Sequence, residues 1–125
     1  HGFPKLELGD PDTRAERLIN WKRKMEKVVS PLGPYVEQWW KWCVDRAEKA
    51  HAVFAKTLLA DQDSIWPQER IPTVWGQLEA WMRPYMVAVI PRELESFFDL
   101  RSRVNGIDAS HVILFFIYKT FCELC

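Results

Sequence analysis

Much that would announce a function is missing from this 125-residue chain. It has three cysteines, of which only Cys122 and Cys125 are close in sequence. That is too little for the disulfide framework of a small secreted domain, so a reducing compartment is the expectation. Five glycines are scattered along the chain, and none of them builds a phosphate-cradling loop. Lys and Arg number 17, as do Asp and Glu, so no overall field draws the molecule to nucleic acid or to an acidic ligand. The longest apolar run, Val112 to Tyr118, is far short of the ~20 residues that cross a bilayer, and no signal peptide is visible. An intracellular setting is expected, the cytoplasm first and a processed organellar protein as the other option. The chain opens at His1 rather than Met, as a processed product or a piece of a longer protein would.

Aromatic residues are abundant: seven Trp and seven Phe in a chain that is 48% hydrophobic. That suffices for one compact core in a single helical domain over residues 1–125, with 1–12 as an extended arm and 13–125 as the helical part. The stretch Gly33 to Leu59 organises the rest. Pro34 fits a first helical position, and no Gly or Pro follows until Pro67. Val36, Trp40, Cys43, Ala47, Ala50, Phe54 and Leu58 recur at steps of four and three, an apolar stripe on a helix of about seven turns. Trp39, Trp40 and Trp42 cannot all face one side of it. Either other helices cover them, or one or two are exposed anchors for a partner.

Pro4, Pro11 and two glycines make residues 1–12 an arm. Asp10, Asp12 or Thr13 can cap the helix that follows, Glu16 completing a capping box with Thr13. This helix runs to about Val29, with Leu18, Trp21, Met25 and Val28 or Val29 inward. Around that face stand Arg14, Arg17, Lys22, Arg23, Lys24 and Lys27 against only Glu16 and Glu26. This is the one charged patch of clear sign, a candidate for RNA or another anion, or simply a solvated face. After a loop tucked down by Ile65 and Trp66, Pro72 opens a third helix with Val74 or Trp75, Leu78, Trp81 or Met82, Tyr85 and Val89 inward. Pro84 should kink or split it. A fourth helix is expected from Arg92 to about Val104, ended by Asn105 and Gly106, and a fifth from Ala109 to Leu124, capped by Asp108 or Ser110 and apolar all round. The fold class is therefore all-α, a compact bundle of about five helices.

Chemistry-bearing patterns are sparse. Glu48 and His51 form one E-x-x-H where a di-iron bundle needs two and further carboxylates. Cys122 and Cys125 make a C-x-x-C without a second pair. His1, His51 and His111 do not cluster by spacing, and Ser110 beside His111 is not a triad. No catalytic residue, metal site, cofactor or small-molecule substrate is assigned, and a non-enzymatic protein is expected.

The order L-x-L-G, then N-W-K-x-K-M (Asn20 to Met25), W-W-x-W (Trp39 to Trp42), A-E-K-A-H (Ala47 to His51) and W-x-x-L-E-x-W-M-R-P (Trp75 to Pro84) resembles Gag-like regions of copia-type LTR retrotransposon polyproteins, of the kind found in dinoflagellates. The resemblance implies a capsid-like domain that associates with itself and packages RNA, or a domesticated copy of one. Arg14, Arg17, Lys22, Arg23, Lys24 and Lys27 then become candidates for RNA contact. Trp39, Trp42, Phe115, Phe116 and Phe121 become candidates for subunit packing. The zinc knuckle of many Gag proteins is absent, as is any protease, integrase or polymerase motif. The alternative is an accessory helical subunit that binds other chains in a larger assembly.

Overall fold

In the computed structural model, which describes residues 2–96, 98 and 109–122, the longest helix begins where the chain can turn most freely. Gly33 takes φ 109°, a conformation costly for any residue with a Cβ, and Pro34 follows as the first residue of the helix. The α-helices are α1 (Arg14–Val29), α2 (Pro34–Lys56), α3 (Gly76–Val89) and α4 (Ser110–Phe121). A further helical stretch begins at Glu95 after a short 3-10 turn, Arg92–Leu94. With it the chain is an all-α bundle of five helices behind an N-terminal arm, and the described residues contain no strand. The expected helix to Val104, its Asn105–Gly106 end and the terminal Cys125 lie largely or wholly outside the described residues.

The core forms around α4. Ten of its twelve residues are buried, which is what an apolar run without a polar face requires. Its most extensive packing is against α2, and it also meets α1 and α3. From α1 the expected set arrives: Leu18, Trp21, Met25 and Val29. Trp21 is 2% exposed. Removing an indole of roughly 200 Å² from water is worth about 5 kcal/mol before entropic losses. From α2 come Val36, Trp39, Trp40, Cys43, Ala47 and Phe54, the expected stripe with Trp39 added, Ala50 half-buried and Leu58 missing. The helix stops at Lys56, so Leu58 is exposed rather than inward.

Local devices differ from expectation at two points, and at a third, Pro84, one of two open outcomes is excluded. Thr13 does not close a capping box; its hydroxyl donates to the Asp10 carbonyl at 2.8 Å and accepts from Arg17 Nε at 3.0 Å. Pro84 does not split α3. It falls on the exposed side, one position before Tyr85, where water can satisfy the Ala80 carbonyl that loses its helical donor. At the head of α4, Ala109 rather than Ser110 is the N-cap and offers no side chain; Asp108 lies outside the described residues.

Three contacts help to hold the arm. Leu6 is buried, Trp21 Nε1 donates to the Pro4 carbonyl at 2.9 Å, and Gly9 turns at φ 57° against the Arg17 guanidinium. A Cβ on Gly9 would sit 2.2 Å from Arg17 Nε. Gly9→Ala should therefore cost about 1 kcal/mol in a urea denaturation, chiefly through its left-handed backbone, since Arg17 can move. Gly76, with open space around it and an ordinary helical φ of −55°, is the control. Gly76→Ala should stabilise by ~0.5 kcal/mol, because alanine restricts the unfolded chain without strain in the helix.

Candidate functional site

The most connected polar group is Glu79, on α3 and 2% exposed. Its Oε1 accepts the Trp39 indole N–H at 3.1 Å. Its Oε2 accepts the Ser110 backbone N–H at 3.0 Å and the Ser110 hydroxyl at 2.9 Å, with Arg83 Nε at 3.3 Å. The carboxylate thus caps α4 from another helix, where both the free N–H groups and the helix dipole favour negative charge. Cys43 is fully buried nearby, and burial followed by the Glu79 charge raises its thiol well above the ordinary range. It is a packing residue, not a thiolate.

His111, the next residue on α4, is 1% exposed. Its Nε2 lies 2.6 Å from the Glu69 carbonyl and so carries the proton, while Nδ1 is buried without a hydrogen-bond partner among the described residues. The ring packs edge-on to Trp42 at 5.0 Å, and the Arg46 guanidinium lies 5.5 Å from the Trp42 ring. These contacts dock the 57–72 loop, helped by half-buried Ile65 and Trp66 as expected.

The tryptophan question resolves in favour of coverage. Trp39 is fully buried, and Trp40 packs between Trp39 and Trp21 at 6.2 and 6.0 Å. Trp42, on the opposite side, is half-buried against Trp75 and His111. Phe115, Phe116 and Phe121 are likewise 5%, 5% and 2% exposed. Trp39 and these three phenylalanines, candidates for subunit packing, are thus buried within the chain itself, α4 being packed against α1, α2 and α3.

The basic patch divides. Lys22 is bound to Glu48 at 2.7 Å and lies over the Tyr118 ring. Arg17 serves Thr13, and Arg14 is half-buried. Arg23, Lys24 and Lys27 remain exposed on successive turns and form no ion pair with the described residues. In the groove between α1 and α2, about 370 Å³, Glu37, Asp45 and Glu48 are already paired with Lys41, Lys49 and Lys22. His51 stacks on Phe54 rather than joining Glu48 in a metal site, and among the described residues no group of three or more His, Cys, Asp or Glu side chains could hold a metal ion.

One surface went unseen in the sequence. Of the α3 residues expected inward, Tyr85 points out, 46% exposed, and in the two pairs left open it is Val74, 66% exposed, and Trp81, 65% exposed, that face solvent. The buried side runs through Leu78 and Val89, as expected, together with Glu79 and Met86, and Trp75 and Met82 are half-buried. Tyr35 extends the outward strip by donating its hydroxyl to the Val74 carbonyl, and Phe3 lies against Tyr85 at 5.6 Å. None of the ten exposed residues between Thr73 and Ala88 is charged. A signal for this existed, since Glu79 and Arg83 are the only charges from Ile71 to Pro91, and a solvated helix normally carries more.

Glu79→Ala should cost about 3 kcal/mol in urea denaturation, by stranding the buried Trp39 and Ser110 donors. Acid should also destabilise the fold. Burial, the largest influence, lowers the pKa of His111 despite the Glu69 carbonyl and the nearby carboxylates, and burial lowers that of His51. The unfolded chain therefore takes the proton more readily, so stability is complete above about pH 6.5 and falls as pH drops toward the folded-state values. The urea midpoint should decline from pH 7.5 to 5, and His111→Gln, which keeps an N–H donor but cannot titrate, should flatten that decline. No protein-family model, curated protein or solved structure matches the chain.

Proposed function

We propose that this chain is a non-enzymatic, capsid-like helical domain that associates with copies of itself and gathers RNA, the reading implied by its Gag-like resemblance. The observation that carries it is the uncharged outer side of α3, where Trp81 and Tyr85 stand in solvent although the chain buries its other tryptophans wholly or in part. Contiguous exposed apolar surface of this kind marks an interaction site, and exposed Trp and Tyr are the side chains most often found at binding hot spots. The RNA role belongs to a different element and a different force. Arg23, Lys24 and Lys27 are free to meet phosphates, whereas Arg14, Arg17 and Lys22 are drawn into the fold.

Three phosphate contacts to a single strand should give a slope of log K against log salt of about −2. Light scattering across a concentration series should show growth beyond the monomer, extended by single-stranded RNA and curtailed by salt. Reversing Arg23 and Lys27 to Glu should remove the RNA response while leaving growth in its absence unchanged. A chain that stays monomeric with and without RNA contradicts self-assembly and favours an accessory subunit that meets unlike chains.

A further inference from the structure

We infer that the outer side of α3 is a two-fold contact surface for the α3 of a second copy, the helices running antiparallel about an axis near Trp81. The inference rests on the self-association reading and names its surface and geometry.

Three features of that side point to an identical partner. It carries no charge at any exposed position from Thr73 to Ala88, so bringing two copies together creates no like-charge repulsion. The two longest helices both show charge on their exposed sides: Arg23, Lys24, Glu26 and Lys27 on α1, Lys41, Asp45, Glu48 and Lys49 on α2. An anionic or cationic partner would find nothing to pair with here, whereas a neutral copy matches.

The side chains also alternate in size in a way that fits its own reverse. At ~3.6 residues per turn, Val74, Trp81 and Ala88 fall on one line, with Gln77 and Tyr85 beside it. Antiparallel pairing centred on Trp81 sets Val74 against the partner's Ala88, a large side chain against a small one. It sets Gln77 against the partner's Tyr85, an amide against a hydroxyl, and the two Trp81 rings meet at the axis. In an isologous contact each such pairing occurs twice.

The third feature is polar. Pro84 interrupts the α3 ladder, so the Ala80 carbonyl has no helical donor. Ala80 and Pro84 are both exposed, one turn or less from Trp81. The indole N–H of the partner's Trp81 is a donor of the right kind at the right place.

The strip is about 24 Å long at ~1.5 Å per residue and about one helix wide, well below the ~800 Å² per partner of a standard interface. The dimer is therefore weak, and RNA that concentrates the chain promotes it.

The test is sedimentation equilibrium of the full chain without RNA, comparing wild type with Trp81→Arg and with Leu59→Arg. Leu59 is 86% exposed and belongs to a different element, the 3-10 turn Leu59–Ser64, so it controls for any surface arginine; matching helical circular dichroism shows that each variant folds. Trp81→Arg should raise the dimer dissociation constant at least ten-fold and Leu59→Arg should leave it unchanged. Oxidation then reads orientation, with wild type giving the background from its own cysteines. A mixture of Gln77→Cys and Tyr85→Cys chains should form a mixed disulfide. Gln77→Cys alone should not, its two copies being about 12 Å apart along the axis. Wild type that dimerises while Trp81→Arg dimerises equally well overturns this surface and leaves self-association standing. Efficient Gln77→Cys homodimers overturn the antiparallel geometry. Wild type that stays monomeric at every concentration overturns both.

Discussion

Burying a carboxylate is tolerated only where donors replace the water it loses, and Glu79 has four of them from three sources: the Trp39 indole on α2, both polar groups of Ser110 on α4, and Arg83 on its own helix. The arrangement answers a problem that α4 cannot solve alone. A helix whose side chains are nearly all apolar needs its first N–H groups satisfied without bringing water into the core, and its N-cap, Ala109, has nothing to offer. Glu79 does this from outside, and by doing so fixes where α3 and α2 stand relative to the head of α4. The hydrophobic contacts hold the bundle together without direction; this carboxylate gives it a register.

That register decides what the molecule shows to solvent. With Glu79 turned inward, residues on its side of α3, Met86 and Met82 among them, must follow, and those about half a turn away, Trp81 and Tyr85, must turn out. Hydrophobicity alone leaves Trp81 and Met82 as alternatives for the inner side. The exposed aromatic strip is thus the reverse side of a polar anchor. Its lack of charge is a further property of the sequence that the anchor does not require, and the proposed contact rests on it.

The parts of the fold legible in the sequence are those governed by local periodicity. The α1 stripe of Leu18, Trp21, Met25 and Val29 and the α2 stripe from Val36 to Phe54 could be read because spacing and burial agree there. So could the start of α2 at Pro34 and the tucked Ile65 and Trp66. What could not be read depends on long-range partners. A glutamate one turn from an arginine reads as a surface pair, and nothing local says that Ser110, 31 residues away, will claim it. Lys22 likewise looked like part of a basic field until Glu48, on another helix, was found beside it. Trp39, Phe115, Phe116 and Phe121 are contact candidates in the sequence because apolarity alone cannot separate a core shared with a partner from a core the chain completes itself, and their burial within the chain is not legible from local spacing.

The two surfaces left over obey different physics, and this gives the proposed assembly its logic. A neutral aromatic strip gains from water leaving apolar surface, a contribution that salt does not screen. The Arg23, Lys24 and Lys27 stripe gains from counterion release and weakens steeply as salt rises. Each is small: one is a single helix wide, the other three charges long. In the proposed assembly each would strengthen the other, because RNA held by α1 would raise the local concentration of the α3 strips, and paired strips would present two basic stripes to one strand. A chain so arranged would pair weakly by itself and assemble further on RNA, which is the behaviour a packaging domain needs and a permanent oligomer lacks.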